Sequence, residues 1–197
     1  MGSTCRKAVF LDRDGVLVAD RGPLHSHAQI QIFEDVPQAL CMLRDADFML
    51  IGVSNQTVVA RGLLDEAGAR ALQQEIEDRI EARGGPRLDD FYLCPHHPAA
   101  TLPDYRTDCG CRKPGTGMLE AASRDHGLDL QGCFMVGDRP SDVAAGQRAG
   151  CTSVWLHTGR HLDAPIVTSD PFEAPPAEHE AHSLGDAARW ICREVQA

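Results

Sequence analysis

Short apolar segments alternate with amphipathic ones along most of the chain. Nearly continuous apolar runs predict buried strands at 7–11, 48–53, 90–93, 133–136 and 152–156. Between them, helical periodicity and helix-start signals predict helices over 36–45, much of 63–83, 116–127 and 141–150. Strands that are apolar on both faces and separated by helices are typical of a parallel sheet covered on both sides. The sequence therefore predicts an α/β fold with a doubly wound, Rossmann-like parallel sheet.

Several helix boundaries have local signals. Asp35 is suited to cap the first helix, with Pro37 in its first turn. Thr116 and Ser141 are predicted to begin two later helices.

The end of the chain has a weaker pattern. The Pro- and His-containing stretch from 158 to 182 predicts a surface loop, and 183–195 predicts a final helix. Trp190 and Ile191 are the residues through which we expect this helix to dock. We therefore expect one domain over 1–157, with 158–197 packed on it.

The composition argues against some classes of binding partner. The chain has 197 residues, 43% of them apolar, and a formal charge of −10, which argues against non-specific nucleic-acid binding. No apolar run is long enough to span a membrane, and the N-terminal residues lack a secretory pattern. We expect a cytoplasmic monomer that acts on a small molecule, with no nucleic-acid or membrane partner.

Acidic residues directly follow two of the predicted strands. Asp12 and Asp14 come after the first strand, and Asp138 and Asp142 come after the fourth. Ligands of such sheets bind at the carboxyl ends of the strands, where these side chains can meet. Converging carboxylates repel one another unless a cation lies between them, and all-oxygen ligands suit Mg²⁺. One carboxylate can then attack phosphorus, and a second, two residues on, can protonate the leaving alkoxide.

Two further polar residues occur at positions that suit the same phosphoryl-transfer site. Ser54 follows the second strand and can donate hydrogen bonds to phosphoryl oxygens, and Lys113 precedes a helix and can neutralise transferred charge. An isolated Asp-x-Asp pair is most often only a turn. The combination with Ser54, Lys113 and Asp138 favours a catalytic site over that alternative.

Four residues have the spacing of a metal site. Cys94, His96, Cys109 and Cys111 form a C-x-H-x₁₂-C-x-C pattern, and three thiolates with one imidazole are typical of structural zinc. His97 is an alternative ligand to His96. The loop 94–111 lacks an evident core of its own, so zinc would order it.

The zinc loop leads directly into Arg112 and Lys113, which it would place over the carboxylates. The other cysteines are predicted to be small core residues; they are Cys5, Cys41, Cys133, Cys151 and Cys192.

These motifs resemble those of the haloacid dehalogenase (HAD) superfamily of phosphatases. The resemblance spans 9–156 and rests on four motifs: Leu11-Asp12-Arg13-Asp14-Gly15-Val16, Ser54-Asn55-Gln56, Arg112-Lys113-Pro114 and Gly137-Asp138-Arg139-Pro140-Ser141-Asp142. It implies that Asp12 is the nucleophile and Asp14 the general acid and then base. Ser54 and Lys113 would hold the phosphoryl group.

The same resemblance implies the metal ligands. Asp12, the main-chain carbonyl of Asp14, and Asp138 would bind Mg²⁺, whereas Asp142 would support them or cap the helix.

The zinc loop is similar to that of the heptose bisphosphate phosphatase branch, whose relatives include histidinol-phosphate phosphatases and whose members lack a large cap domain. This resemblance implies that Arg112 contacts the second phosphate or the sugar and that 20–23 faces the substrate. The full set of expected substrate-binding residues is Arg13, Asp20, Gly22, Asn55, Gln56, Thr57, Arg112 and Arg139.

Two segments depart from the branch pattern: Gly22-Pro23-Leu24 stands where Gly-Tyr-Val is usual, and Thr57-Val58 where Ser-Gly is usual.

The leading hypothesis is a Mg²⁺-dependent phosphatase that removes the 7-phosphate of D-glycero-D-manno-heptose 1,7-bisphosphate, on the route to lipopolysaccharide or capsule. An alternative keeps the chemistry and takes histidinol phosphate or another small metabolite. A phospho-acceptor signalling domain would form a long-lived phosphoprotein without phosphate release. A zinc-stabilised interaction module would bind zinc without phosphatase activity.

Overall fold

The structure, a computed structural model, describes residues 6–158 and 176–195. A parallel sheet of six strands forms its centre, in the order β3-β2-β1-β4-β5-β6. The strands are β1 (Ala8–Leu11), β2 (Met49–Asn55), β3 (Asp90–Cys94), β4 (Phe134–Gly137), β5 (Thr152–Leu156) and β6 (His179–Ala181). The predicted doubly wound parallel sheet is therefore confirmed.

Helices cover both faces of this sheet. They are α1 (Val36–Asp45), α2 (Thr57–Ala60), α3 (Glu66–Glu81), α4 (Gly117–His126), α5 (Pro140–Ala149) and α6 (Leu184–Glu194). No helix within the described residues is both long and apolar enough to cross a bilayer.

The central strand β1 is buried on both sides, which explains its uninterrupted apolar sequence. Val9 and Leu11 face the core that contains α1, α3 and α6, whereas Ala8 and Phe10 face the core that contains α4 and α5. All four residues are fully buried. Because both faces are covered, the polar residues that follow β1 emerge only at its carboxyl end.

Two predictions about the elements were wrong. The segment predicted as a loop up to residue 182 contains strand β6, which is only three residues long and pairs with β5; residues 159–175 of that segment lie outside the described residues. The short helix α2 was missed, since four residues carry little periodic signal.

The long helix predicted within 63–83 is confirmed. It begins at Glu66, because the Asp65 carboxylate caps it by accepting a hydrogen bond from Gly68 N–H.

The predicted cap residues act differently from expectation. Asp35 occupies the N-cap position of α1, but its carboxylate accepts a hydrogen bond from Gly185 N–H at 2.7 Å and so links α1 to α6. Thr116 makes no side-chain cap, and its hydroxyl instead donates to Glu120. Helix α5 begins at Pro140, one residue before Ser141.

The cysteines outside the predicted zinc loop divide into two groups. Cys133 and Cys151 are buried as expected, but Cys41 and Cys192 are only partly buried, at the packed surfaces of α1 and α6. Cys5 lies outside the described residues.

Helix α6 closes one side of the core. Ile191 is fully buried there, and Trp190 packs edge-on against Phe134 and stacks on His179 at a centroid distance of 4.3 Å. The helix also packs against α1, and its Ala187 and Ala188 are fully buried. These contacts attach the end of the chain to the same core as the central strands.

Truncation of Ile191 tests this attachment. Ile191→Ala should lower the free energy of unfolding by about 2–5 kcal/mol, because it leaves a cavity under α6. Val195→Ala is the control, since Val195 is 38% exposed and its truncation should cost less than about 0.5 kcal/mol. Urea unfolding followed by circular dichroism measures both. Equal, small losses would show that α6 is not part of the core.

Candidate active site

Three carboxylates meet where the central strands end. Asp12 follows β1, Asp138 follows β4, and Asp142 lies in the first turn of α5, which begins just after Asp138. One oxygen from each lies within 4.8 Å of the others, and all three residues are buried. The pairing of β1 with β4 causes this convergence, because neighbouring parallel strands present their carboxyl ends together.

Lys113 supplies the positive charge among these carboxylates. Its Nζ lies 2.8 Å from Asp12 Oδ1 and 2.7 Å from Asp142 Oδ1, and it donates to the Val53 carbonyl at 2.7 Å. The side chain is 1% exposed, so the pairs are shielded from solvent. An unpaired charge at this depth would be strongly destabilising, which makes the lysine and its partners mutually dependent.

The positive charge of Lys113 does not fully compensate the buried carboxylates, and the pKa values of these groups show it. Burial raises the pKa of Asp12, although Lys113 opposes the effect. Burial, together with the negative charges of Asp12 and Asp142, raises the pKa of Asp138 well above its usual value. Burial would lower the pKa of Lys113, but its two carboxylate partners outweigh this and raise it.

Two glycines make room for the acidic cluster. Gly15 has φ +87°, and a Cβ on it would overlap the Asp138 carboxylate. A Cβ on Gly137 would overlap the side chain of Asp142. The backbone is therefore shaped around the two carboxylates, which requires glycine at both positions.

Asp14 lies beside this cluster but has different partners. The Arg13 guanidinium holds its carboxylate through both oxygens, at 3.1 and 2.8 Å from Nη2. The Gln56 amide donates to Ser54 Oγ at 2.7 Å and contacts Asp14 Oδ2 at 3.4 Å. Because Ser54 Oγ accepts from Gln56, its hydroxyl proton remains available to donate elsewhere.

These residues line one pocket with a volume of about 210 Å³. It includes every residue that the sequence predicted as catalytic or substrate-binding: Asp12, Arg13, Asp14, Asp20, Gly22, Ser54, Asn55, Gln56, Thr57, Arg112, Lys113 and Arg139. The predicted ligand Asp138 is completely buried beneath them. A polar, cationic pocket over buried carboxylates suits an anionic substrate and attack by a carboxylate nucleophile.

The loop after β1 closes one side of the pocket. The Asp20 carboxylate accepts from Arg139 Nη2 at 2.9 Å and from Gly22 N–H at 3.0 Å. The contact between Asp20 and Arg139 connects this loop to the turn after β4. The same pair therefore joins two walls of the pocket.

The structure confirms the capping role expected for Asp142, since its Oδ2 accepts a hydrogen bond from Arg139 N–H at 3.0 Å at the start of α5. Asp142 also forms an ion pair with Lys113, which the sequence did not predict. Two other pocket residues were not predicted. Arg61 and His97 also line the pocket. His97 had one available signal, its position beside a predicted metal ligand. Arg61 had none, because the helix α2 that precedes it was not predicted.

The cysteine loop brings its four predicted ligands together. Ligand atoms of Cys94, His96, Cys109 and Cys111 all lie within 4.8 Å of one another. His97 is elsewhere, since its Nδ1 accepts from Ala99 N–H at 3.0 Å. Three sulfurs and one imidazole nitrogen at these separations fit a tetrahedral zinc ion.

The loop is attached to the pocket at two places. The Ala60 carbonyl, at the end of α2, accepts hydrogen bonds from Thr101 and Leu102 N–H groups at 3.0 and 3.1 Å. Arg112 donates to the His96 carbonyl at 3.3 Å. Ordering of the loop is therefore coupled to the walls of the pocket.

The carboxylate cluster also fits a divalent cation. Its donor set consists of oxygens, it is shaped by two glycines, and two of its acids, Asp12 and Asp138, have raised pKa values that a cation would lower. Asp12 and Asp138 would hold such an ion, with Asp142 adjacent to it.

The chain is similar to known proteins over most of its length. A HAD-hydrolase-like family model matches residues 110–187. The D-glycero-beta-D-manno-heptose-1,7-bisphosphate 7-phosphatase of Haemophilus ducreyi is 38% identical over 160 residues, which are 81% of this chain and 87% of the relative. A D-glycero-alpha-D-manno-heptose-1,7-bisphosphate 7-phosphatase of Photorhabdus laumondii is 34% identical and covers 85% of this chain and 88% of the relative.

A solved structure shows the same architecture. The D,D-heptose 1,7-bisphosphate phosphatase of B. bronchiseptica, complexed with magnesium and phosphate, superposes with a TM-score of 0.80 and 29% identity. The match covers 96% of this chain and 99% of that one.

Neutralising Asp138 tests the electrostatics of the cluster. In protein stripped of metal with a chelator, Asp138→Asn should raise the free energy of unfolding by about 1–2 kcal/mol near neutral pH, because it removes a buried, penalised negative charge. Chemical denaturation measures the difference.

The pH dependence has a definite sign. The pKa of Asp138 is higher in the folded than in the unfolded chain, so the folded state binds more protons between the two values and wild-type stability falls as pH rises through that interval. The advantage of the asparagine variant should grow with pH there. A variant less stable than wild type at neutral pH would contradict this account.

Proposed function

The chain belongs to the heptose 1,7-bisphosphate 7-phosphatase family of HAD-like hydrolases, and we propose that it hydrolyses the 7-phosphate of D-glycero-D-manno-heptose 1,7-bisphosphate. The products would be heptose 1-phosphate and inorganic phosphate. One observation carries this proposal: Asp12 lines the pocket with its carboxylate 2.8 Å from the buried Lys113 ammonium and with Asp14 beside it.

The first step forms a covalent intermediate. A carboxylate oxygen of Asp12 attacks phosphorus, and the bond between phosphorus and the C7 oxygen of the sugar breaks. Asp14 protonates the leaving oxygen, held in place by Arg13 and Gln56. The Ser54 hydroxyl donates to a phosphoryl oxygen, while Lys113 offsets the negative charge around Asp12.

The second step regenerates the enzyme. Asp14, now a carboxylate, takes a proton from water, whose oxygen attacks phosphorus. The bond between phosphorus and Asp12 breaks, and phosphate leaves. Both steps use the same two carboxylates in complementary roles, which accords with their different surroundings: Asp12 beside Lys113 and Asp14 beside Arg13.

Magnesium is the proposed cofactor, held by Asp12 and Asp138 and by the main-chain carbonyl of Asp14. When bound, it would neutralise charge on the phosphoryl oxygens. The raised pKa of Asp138 and the oxygen-only donor set support this assignment, as does the magnesium and phosphate bound by the B. bronchiseptica relative.

Substrate selection is assigned to the pocket rim. Arg112, on the zinc-loop side, would contact the second phosphate or the sugar, and Asp20 with Arg139 would shape the opposite side. The rim is small and built from loops, which suits a compact sugar phosphate better than a macromolecule.

We propose that the cysteine cluster binds a structural zinc ion. With three thiolates and the His96 imidazole it has four ligands, which leaves no open position for zinc catalysis. Its three thiols must stay reduced to bind metal, so we also propose a cytoplasmic location.

Substitution of the nucleophile tests the catalytic assignment. Asp12→Asn should lower kcat by at least about 10³-fold, because the amide cannot form the aspartyl phosphate. Phosphate release should be measured with both anomers of the heptose bisphosphate and with histidinol phosphate, with and without Mg²⁺. Circular dichroism of the variant checks the fold.

The same panel decides the substrate. A kcat/KM highest for a heptose bisphosphate, with ³¹P NMR showing loss of the C7 signal, is the expected result. Preference for histidinol phosphate would overturn the substrate assignment, and full activity of Asp12→Asn would remove Asp12 from the mechanism.

Metal analysis tests the zinc assignment. The purified protein should contain one zinc ion per chain by elemental analysis, and Cys109→Ser should lose it, because a thiolate ligand is removed. Cys41→Ser is the matched control and should retain the metal, since Cys41 lies on α1, outside the cluster. Zinc retained by Cys109→Ser would rule out this ligand set.

A further inference from the structure

The side-chain amide of Asn55 is paired with the backbone of Lys113. Asn55 Oδ1 accepts from Lys113 N–H at 3.0 Å, and Asn55 Nδ2 donates to the Lys113 carbonyl at 3.0 Å. The two residues are 58 positions apart in the chain. An amide that satisfies both backbone groups of one residue restricts where that residue lies and how it is turned.

The position of Lys113 requires such a restraint. The residue lies outside the helices and strands, between the cysteine cluster and α4, so no regular element holds its backbone. Its ammonium nevertheless has to reach three oxygens. It donates to Asp12 and to the Val53 carbonyl, and it forms an ion pair with Asp142 Oδ1 at 2.7 Å.

One strand thus holds both ends of Lys113. Val53 and Asn55 belong to β2, and they contact the ammonium and the backbone of Lys113, respectively. A shift of the backbone would move the ammonium away from the carboxylates, and displacements of about 1 Å are enough to cost about 10²-fold in rate.

We propose that Asn55 is a positioning residue for Lys113, holding its backbone so that the ammonium stays against Asp12. This rests on the proposed phosphatase function. It differs from the substrate contact that the sequence predicted for Asn55, because both of its amide groups are directed to Lys113.

Two substrates separate positioning from substrate contact. With Asn55→Ala, kcat should fall about 10²-fold for both the heptose bisphosphate and p-nitrophenyl phosphate, with KM changed less than about threefold. The aryl phosphate lacks the sugar, so a sugar contact would raise KM for the heptose substrate alone. That result would overturn the proposal. Gln74→Ala on the exposed face of α3 is the control amide substitution and should leave both rates unchanged.

A double-mutant cycle tests whether Asn55 acts through Lys113. In a Lys113→Ala background, Asn55→Ala should reduce kcat for p-nitrophenyl phosphate less than about threefold further, because the group that it positions is gone. Independent, multiplicative losses would contradict the proposal. If wild type hydrolyses neither substrate, the proposed function fails instead.

A measurement on the wild-type protein is independent of activity. Asn55 is the only asparagine in the chain, so selective ¹⁵N-asparagine labelling gives one side-chain amide nitrogen with two proton signals. One of its two protons should exchange slowly with solvent, because it donates to the Lys113 carbonyl. Rapid exchange of both protons would show that the pairing does not persist, whatever the kinetics.

Discussion

Three buried carboxylates around one lysine ammonium are the constraint on which the site depends. Asp12, Asp138 and Asp142 converge because the first and fourth strands are neighbours in the sheet. The Lys113 ammonium, even with the Arg139 guanidinium acting on Asp138, does not fully compensate three buried anions, and the pKa values of Asp12 and Asp138 remain raised. The cluster is therefore suited to take up a further cation, and with it an anionic substrate.

Two parts of the molecule, the sheet and the loop that carries Lys113, hold these side chains in place. The sheet, covered by helices on both faces, holds Asp12 and Asp138 rigidly at strand ends. Lys113 arrives from a loop, and it is fixed by the cysteine cluster on one side and by β2 on the other. A loop whose four cysteine and histidine side chains converge can in this way substitute for regular secondary structure, and it also forms a wall of the pocket.

Much of this could be predicted from the sequence, because the signals were local. Apolar runs ending in acidic residues indicated both the sheet and the edge where its ligands bind. Strand β6 escaped prediction because three residues paired at an edge have almost no periodicity. The capping expectation for Asp35 failed because a tertiary contact with Gly185 competes for its carboxylate. The partnership of Asn55 with Lys113 joins residues far apart in the chain, and spacing alone does not show it.

The central claim is that Asp12 accepts the phosphoryl group, and trapping that group tests it most directly. An Asp14→Asn variant mixed with p-nitrophenyl phosphate and Mg²⁺ can still form the aspartyl phosphate, because this leaving group needs no proton, but the variant lacks the base for hydrolysis. Rapid acid quenching followed by peptide mass spectrometry should find phosphoryl on Asp12. Phosphoryl on another residue, or released phosphate with no phosphorylated peptide, would contradict the account.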